Sequence, residues 1–258
     1  MGSPIALLTD FGLIDPYVGI VKGVILTISP NSPIIDLTHN VPAQDITQAA
    51  FMLGESYQYL PANSVIMAVV DPGVGTERRK IIVQTKKYLF VAPDNGLLTF
   101  PIKKEEDCHC FEIKNSKYFL KPTSATFHGR DIFAPVAAYL AQGEPPQAFG
   151  SEIKDPTLLS ITEPEKKKGE ISGQIIHIDN FGNLITNIPA TELKELQNPL
   201  IKIKGKTIPL KNTYGNVPSG SLVALIGSAN LLEIAVNQGN ASQVLGAAIG
   251  DKVTVIYS

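Results

Sequence analysis

The 258-residue chain has little of what marks a protein for nucleic acids or for membranes. Its 22 basic and 24 acidic residues leave a net charge of −2, so no basic stripe for a phosphate-rich partner is indicated. Charged residues, Gly or Pro interrupt each hydrophobic run before it reaches the length that spans a bilayer. These absences favour a small-molecule substrate, with neither nucleic acid nor a membrane as a partner.

Cysteine is also scarce, since only Cys108 and Cys110 are present, on either side of His109. This number and spacing fit neither a disulfide framework nor a zinc knuckle, so we expect a short edge strand here and no metal site. The N-terminal segment MGSPIALLTD lacks the basic flank and apolar core of a signal peptide, and a cytoplasmic location is the expectation.

Strand-like and helix-like segments alternate through the first part of the sequence. PIALLTD is a buried strand that ends at Asp10, and Asp15 followed by Pro16 predicts the start of a helix. SPIIDLT is a second strand, residues 45–59 have helical spacing, and the apolar SVIMAVV predicts a central parallel strand. This order predicts an α/β domain with a mainly parallel sheet, in which Asp10 and Asp71 lie at the ligand-binding edge.

The pattern changes in the second half of the chain. KIIVQT and YLFVAPDNGLLTF are predicted as added strands, with Asp94, Asn95 and Gly96 as a turn in the second segment, and Asp131 is predicted as the cap of a further helix. Residues 151–169 are rich in Pro, Glu and Lys, which predicts a linker between an α/β catalytic domain, 1–150, and a second domain, 170–258. Short alternating segments and one helical segment, TELKELQ, predict a small antiparallel β-barrel or sandwich for the second domain.

The segment VVDPGVGTERR is the most informative stretch for function. An apolar run stops at Asp71 and enters a loop with a proline and two glycines, which is a common place for chemistry in α/β domains. Asp71 can pair with Arg78 or Arg79, although such a pair on a surface often has no function. His128 precedes a helix in the segment FHGRD, where water can be excluded. Together these residue types can surround one water molecule, which favours a hydrolase.

Other polar residues are compatible with a nucleoside. Asp10 can accept two hydrogen bonds from a ribose diol, although both Asp10 and Asp15 can equally be helix caps. The segment from Phe181 to Asn183 and the glycine-flanked GSANLLEIAVNQG offer an aromatic ring, an amide and accessible backbone to a purine. Asn and Gly are also ordinary turn residues between strands, so both interpretations stay open.

Six segments together resemble one known family. LLTDFGLIDPYVGIVKGVI, VDPGVGTER, VAPDNGLLT, TFHGRDIFAP, IDNFGNLITNI and GSANLLEIAVNQG resemble, in this order, the S-adenosyl-L-methionine hydroxide adenosyltransferase family, which is related to fluorinating and chlorinating enzymes. The resemblance extends over essentially the whole chain. It implies an N-terminal α/β domain and a C-terminal β-barrel domain. It also implies a homotrimer with each active site between the N-terminal domain of one subunit and the C-terminal domain of its neighbour.

The resemblance implies roles for individual positions. The family's Asp, Arg and His fall on Asp71, Arg78 and His128. The implied substrate-binding residues are Asp10 for the ribose diol, Asp15 near the methionine amino group, Phe127 and Phe181 as apolar walls, Asn183 and the backbone around Val236 for adenine, Ser228 for the methionine carboxylate, and Glu233 for either the purine or the amino acid. Gly129 falls where the fluorinating relatives have a serine that helps to hold the halide. Ala229 falls where they have an arginine, which leaves carboxylate recognition open.

The implied reaction is attack of water or hydroxide on ribose C5′ of S-adenosyl-L-methionine, which needs neither a cofactor nor a metal ion. Either Asp71 or His128 can be the base, and Arg78 can hold the acid or the hydroxide. Fluorinating relatives have tyrosines at Asp71 and His128, so halide use is disfavoured here but remains the nearest alternative. Two further alternatives are a non-catalytic adenosine-binding module and a metal-dependent phosphohydrolase that uses Asp10 and Asp71. The phosphohydrolase is disfavoured because the sequence offers no convincing third carboxylate at the same sheet edge.

Overall fold

The computed structural model describes residues 2–257, which form two compact units that meet in the sequence between Leu159 and Ser160. Among these residues, each helix is too short or too polar to cross a membrane.

The first unit contains a seven-stranded sheet with the order β2-β1-β3-β5-β4-β6-β7. Its strands are β1 (Ile5–Thr9), β2 (Ile34–Thr38), β3 (Val65–Val69), β4 (Lys80–Gln84), β5 (Leu89–Pro93), β6 (His109–Glu112) and β7 (Glu152–Ile153). The strands β2, β1, β3 and β5 pair in parallel, and β4, β6 and β7 add antiparallel pairs on one side. The predicted α/β domain with a mainly parallel central sheet is confirmed. β3 is fully buried, as its apolar sequence predicts.

Helices cover both faces of this sheet. They are α1 (Tyr17–Ile28), α2 (Ile46–Ser56), α3 (Thr99–Lys104) and α4 (Ala134–Ala141). Side chains of a strand alternate between faces, so Ile5 and Leu7 pack with α1 and α4, whereas Ala6 and Leu8 pack with α2. The two buried clusters hold the strands rigidly, and this fixes where the strands end.

Some local predictions are wrong. Asp15 does not cap α1, because the helix begins at Tyr17 after Pro16 without a side-chain cap, and Asp15 is exposed. Asp131 is not a cap either. It lies inside a π-helical turn, Gly129–Phe133, that leads into α4, and its buried carboxylate accepts a hydrogen bond from the Ser124 backbone N–H at 2.8 Å. β5 ends at Pro93, just before the predicted turn at residues 94–96, but the strand predicted after this turn is absent from the described residues, because α3 begins at Thr99.

The cysteine-containing segment forms β6. The prediction of an edge strand is wrong, because β6 has β4 on one side and β7 on the other. Cys110 is buried, whereas His109 is exposed and hydrogen-bonds Glu152 at 3.0 Å. In the described part of the chain, His, Cys, Asp and Glu side chains form no group of three or more suited to hold a metal ion.

The second unit is an antiparallel sheet with the order β12-β11-β15-β9-β10-β14-β13, and β8 pairs with β9 beside this path. Its strands are β8 (Glu165–Lys167), β9 (Glu170–Ile178), β10 (Leu184–Pro189), β11 (Leu200–Ile203), β12 (Lys206–Pro209), β13 (Leu222–Ile226), β14 (Leu231–Val236) and β15 (Lys252–Ile256). A bridge between Leu210 and Ala224 joins the two ends of the path, so the sheet nearly closes around one apolar core. The predicted antiparallel β-barrel domain is confirmed.

Two details of this unit differ from the sequence prediction. TELKELQ contributes only to a single 3₁₀ turn, Ala190–Glu192, and the short helix α5 (Ala241–Leu245) was not predicted. The proposed linker, 151–169, contains β7 near its start and β8 near its end, and the division between the two units falls inside it.

Candidate active site

The ends of two parallel strands place the first acidic residues. Thr9 of β1 lies opposite Val69 of β3, so Asp10 and the loop that follows β3 leave the same edge of the sheet. Asp10 accepts a hydrogen bond from the backbone N–H of Gln44 at 2.9 Å. A carboxylate has further lone pairs, so this contact orients Asp10 without using up its capacity to accept hydrogen bonds.

The loop between β3 and β4 carries Asp71 and Arg78 and folds back over itself. Gly75 has φ +79°, and a Cβ atom there would lie 2.6 Å from the carbonyl oxygen of Ala125. A glycine is therefore needed for the loop to contact the segment that leads to His128. The hydroxyl of Thr76 donates to the carbonyl of Gly73 at 2.7 Å and tightens the same turn.

Asp71, Arg78 and His128 form one hydrogen-bonded chain. Arg78 Nε donates to Asp71 Oδ1 at 2.7 Å, and Arg78 Nη2 donates to the other carboxylate oxygen of Asp71. Arg78 Nη2 is also 3.0 Å from Nδ1 of His128. The side chains of Arg78 and Asp71 are only 10% and 6% exposed, so the ion pair is largely shielded from water. Arg79 is not part of this chain, because it pairs with Asp94 and Asp155.

The environment of His128 determines its protonation. Burial lowers the pKa of His128 from its ordinary value of 6.5, and the nearby charges of Arg78 and Lys80 lower it further, against the opposing effect of Asp71 and Asp131. The imidazole is therefore neutral at pH 7. A guanidinium can only donate, so Nδ1 of His128 must accept from Arg78 and the ring proton lies on Nε2.

One nitrogen of Arg78 has no partner in the protein. Nη1 is buried and finds no hydrogen-bond acceptor among residues 2–257, although the ring of Phe133 lies 5.4 Å from the guanidinium carbon. A buried donor without an acceptor is costly, and active sites are a common reason for such a group. Nη1 is therefore available to donate hydrogen bonds to an oxygen atom of a ligand or of a water molecule.

Aromatic rings form a wall beside this chain of charges. The ring centroids of Phe11, Tyr17 and Phe127 lie 5.2–6.2 Å apart in edge-to-face contacts. A Cβ atom on Gly129 would lie 2.9 Å from the Phe11 ring. Phe11 and Tyr17 were not predicted as site residues. Asp15 is exposed and lies in the sequence between Phe11 and Tyr17.

In the second unit, Asp179 organises the segment from Phe181 to Asn183. Asp179 Oδ1 accepts from the backbone N–H groups of Phe181 and Asn183 at 2.9 and 2.8 Å. Oδ2 accepts from the side-chain amide of Asn183 at 2.9 Å. Asn183 is buried, whereas the Phe181 ring is 73% exposed. Asp179 was missed in the sequence, although its spacing to Asn183 is typical of an acidic residue that closes a tight turn.

The remaining predicted residues lie on or near β14. Glu233 is buried and its Oε1 accepts from the hydroxyl of Tyr214 at 2.6 Å, while burial raises the pKa of Glu233 above its usual range. A Cβ atom on Gly227 would lie 2.4 Å from Glu233 Oε2, so a side chain at this position would displace the Glu233 carboxylate. Ser228 follows in the exposed turn before β14, and Val236 ends β14 as a buried residue. Tyr214 was not predicted from sequence.

Comparisons with known proteins identify the family of the chain. The sequence models of the SAM hydroxide adenosyltransferase N-terminal and C-terminal domains match residues 5–150 and 173–254. The (R)-S-adenosyl-L-methionine hydrolase of Thermus thermophilus is 40% identical over 98% of this chain and 99% of its own length. The enzyme of the same name from Salinispora tropica is 36% identical over 97% of both chains. A fluorinase from Actinoplanes is more distant, at 28% identity over 98% of each chain.

Solved structures show the same fold. A crystal structure of an uncharacterized conserved protein from Thermotoga maritima has a TM-score of 0.91 and 38% identity, and the match covers 98% of this chain and 99% of that one. A conserved hypothetical protein from Thermus thermophilus has a TM-score of 0.79 at 38% identity, with 98% and 100% covered. With both domain models matched and relatives above 30% identity along almost its full length, the chain belongs to the SAM hydroxide adenosyltransferase family.

Proposed function

We propose that the protein hydrolyses S-adenosyl-L-methionine to adenosine and L-methionine. Relatives named (R)-S-adenosyl-L-methionine hydrolase support this substrate. The observation that carries the proposal is the buried Nη1 of Arg78, whose N–H groups have no acceptor among residues 2–257 and lie beside the carboxylate of Asp71 and the imidazole of His128. This arrangement suits a water molecule or a hydroxide ion.

The reaction balances without a cofactor. A water oxygen forms a bond to ribose C5′, and the C5′–S bond breaks with its electron pair staying on sulfur. The sulfonium becomes a neutral thioether, so the leaving group needs no proton, and the one proton released comes from water. The difficult step is making the nucleophile, because bulk water has a pKa near 15.7.

The three residues divide this task. Nη1 of Arg78 donates to the attacking oxygen, and Nε2–H of His128 is a second donor. Asp71 is the negatively charged hydrogen-bond acceptor among the three residues and takes the proton of the water molecule. It can do so because each of its carboxylate oxygens has a lone pair besides the one that accepts from Arg78. His128 cannot be the base through Nδ1 while that nitrogen accepts from Arg78.

The other predicted residues hold the substrate in this proposal. Asp10 binds the ribose diol, Asp15 the methionine amino group and Ser228 the methionine carboxylate. Phe127 and Phe181 flank the nucleoside, Asn183 and the backbone at Val236 bind adenine, and Gly129 gives close access to the aromatic wall. We assign Glu233 to the part of the site that binds the purine. Its carboxylate accepts from Tyr214, burial raises its pKa, and Asp179, which accepts from Asn183, is close enough for its charge to raise this pKa further.

Halide use is disfavoured by Gly129. By the family resemblance, Gly129 falls where the fluorinating relatives have a serine that helps to hold the halide, and here no side chain is present to do so; a Cβ atom at Gly129 would also lie 2.9 Å from the Phe11 ring and 3.3 Å from the Phe127 ring. The cluster beside Gly129 also has two ionisable groups, Asp71 and His128, that suit water. Incubation with S-adenosyl-L-methionine and chloride or fluoride is expected to give adenosine and no 5′-halo nucleoside.

The same incubation separates an enzyme from a binding module. Chromatography of the mixture is expected to show equal amounts of adenosine and methionine. Tight adenosine binding without consumption of S-adenosyl-L-methionine would instead support a non-catalytic module and contradict the proposed activity.

The pKa of His128 predicts the pH dependence of activity. Its lowered pKa means that the ring is neutral down to below pH 6.5, and protonation of Nδ1 would break the bond from Arg78. Turnover is expected to persist through pH 6.5 and to fall at lower pH. In the unfolded state His128 has its ordinary pKa of 6.5 and binds protons at a higher pH than in the folded state. The free energy of unfolding is therefore expected to decrease as the pH is lowered below about 6.5.

Two curves check this expectation. One is the pH profile of adenosine formation by the wild type. The other is the difference between the wild type and His128→Asn in the free energy of unfolding across pH 5 to 7, in which other titrating groups cancel. A turnover that is unchanged well below the wild-type pKa of His128, or a difference that is flat with pH, would contradict the neutral imidazole.

We further propose that the protein works as a homotrimer whose active sites combine the N-terminal unit of one copy with the C-terminal unit of a neighbour. Support comes from apolar side chains near the candidate residues that are exposed in the single chain, namely Leu13 and Ile14 at 68% and 101% and Phe181 at 73%. Exposed apolar groups of this kind mark interfaces.

Subunit mixing tests this arrangement. Asp71→Asn and Asn183→Ala are each expected to be nearly inactive. After joint unfolding and refolding of the two variants, about a quarter of the sites in random trimers would combine two intact units and recover activity. Recovery is zero if each site is formed within one chain, and native mass spectrometry checks the trimer itself.

A further inference from the structure

Asp179 controls which way the side-chain amide of Asn183 points. A carboxylate only accepts hydrogen bonds, so the group that lies 2.9 Å from Asp179 Oδ2 must be the amide nitrogen of Asn183. Asp179 cannot move away easily, because its other oxygen accepts two backbone N–H groups, those of Phe181 and Asn183. The amide of Asn183 therefore has a single orientation, with Oδ1 on the side away from Asp179.

We propose that Asp179 is a specificity-determining positioning residue, which makes the purine site accept a 6-amino group and reject a 6-oxo group. The inference rests on the proposed function for one point, the assignment of Asn183 to the adenine ring. The role of Asp179 itself follows from the hydrogen bonds that it makes in the second unit.

The hydrogen-bonding edges of the purines explain the selection. Adenine presents the donor N6–H₂ next to the acceptor N7, and an asparagine amide complements both, with its oxygen toward N6 and its second N–H toward N7. A 6-oxopurine presents two acceptors, O6 and N7, so the Oδ1 of Asn183 would face O6 without a proton between them. Rotating the amide by 180° to suit O6 would turn Oδ1 toward the carboxylate of Asp179, which is repulsive.

The surrounding groups do not offer an alternative to Asp179. Glu233 is a buried acid near this position, and its Oε1 is held by the hydroxyl of Tyr214 at 2.6 Å. The two carboxylates have separate partners, since Asp179 accepts from the side-chain amide of Asn183 and Glu233 accepts from Tyr214. The orientation of Asn183 thus depends on Asp179.

The substitution Asp179→Asn reverses this control with little change in shape. The new amide oxygen is expected to keep the two backbone N–H groups of residues 181 and 183, which places its NH₂ group toward Asn183. Two NH₂ groups cannot pair, so Asn183 rotates and presents its NH₂ group to the purine. The ratio of adenosine affinity to inosine affinity is expected to fall by about tenfold or more.

Isothermal titration of adenosine and inosine into wild type, Asp179→Asn and Asp251→Asn measures this ratio. Asp251 is a matched control, because it also accepts a backbone N–H and pairs with a lysine in the same unit but does not contact Asn183. A merely structural role for Asp179 would weaken both nucleosides equally and leave the ratio unchanged, and that result would overturn the inference. The ratio of Asp251→Asn is expected to match that of the wild type.

The wild-type titration separates this inference from the proposed function. A wild type that binds neither nucleoside contradicts the proposed function and removes the basis of the inference. A wild type that prefers adenosine, together with an unchanged preference in Asp179→Asn, contradicts the inference alone.

Discussion

Asp71→Asn is expected to lower the rate of adenosine formation by about 10²- to 10⁴-fold, the usual contribution of a general base. The amide nitrogen of asparagine cannot accept a proton, and it cannot accept the second hydrogen bond of the Arg78 fork. The affinity for adenosine is expected to change little, because in the proposed site Asp71 contacts the attacking oxygen and not the nucleoside. Single-turnover rates and adenosine titrations measure the two effects separately.

A matched variant separates catalysis from general damage. Asp155→Asn also removes a carboxylate paired with an arginine of the same loop, but Asp155 is exposed and pairs with Arg79. It is expected to keep wild-type turnover. Because removing one partner of a buried ion pair costs about 3–5 kcal/mol, thermal unfolding must show that Asp71→Asn is folded at the assay temperature. Wild-type turnover by a folded Asp71→Asn protein would remove Asp71 from the mechanism.

Arg78→Lys is expected to reduce turnover by about 10²- to 10³-fold, the usual effect of losing one preorganised donor to a developing or bound anion. Lysine keeps the positive charge, but a single ammonium group cannot make the bidentate contact with Asp71, donate to Nδ1 of His128 and also present a free N–H. The loss therefore reports on the geometry of the guanidinium and not on its charge.

The neighbouring arginine provides the control. Arg79→Lys changes the same residue type one position further along, where the side chain pairs with Asp94 and Asp155 outside the catalytic chain. The turnover of Arg79→Lys is expected to stay within a few-fold of that of the wild type. The substitution mainly weakens the contacts of residue 79 with Asp94 and Asp155, which hold the end of the loop between β3 and β4. Equal losses in both variants would show that charge near the loop matters more than the hydrogen bonds of Arg78.

The hydrophobic pattern of the sequence was enough to predict the α/β sheet of the first unit, whereas the choice of a barrel over a sandwich for the second unit came from the family resemblance. β1 and β3 are short apolar runs that end at an acidic residue, and this end fixes where Asp10 and Asp71 leave the sheet. A strand that is buried on both faces needs apolar residues at every position, so a short continuous apolar run is a strong indication of such a strand. The cap predicted at Asp131 failed because its carboxylate is buried and serves Ser124 and Arg130, a tertiary contact that local spacing does not encode.

The site was predictable in residue type but not in its hydrogen bonds. Sequence offered two arginines for Asp71, and only the fold shows that the backbone turn at Gly75 directs Arg78 inward while Arg79 pairs elsewhere. The tautomer of His128 follows from a contact across 50 positions of the chain. Asp179 was missed because an acid before a tight turn usually has only a structural role, whereas here it also holds a side-chain amide.

The origin of the oxygen atom in the product tests the central claim most directly. S-adenosyl-L-methionine is incubated with the protein in ¹⁸O-labelled water, and the products are analysed by mass spectrometry. Attack of water on C5′ predicts adenosine that carries one ¹⁸O at its 5′ position, unlabelled methionine, and the same outcome when chloride is present. Unlabelled nucleoside, a 5′-halo product or unconsumed substrate would contradict a water molecule activated by Asp71, Arg78 and His128.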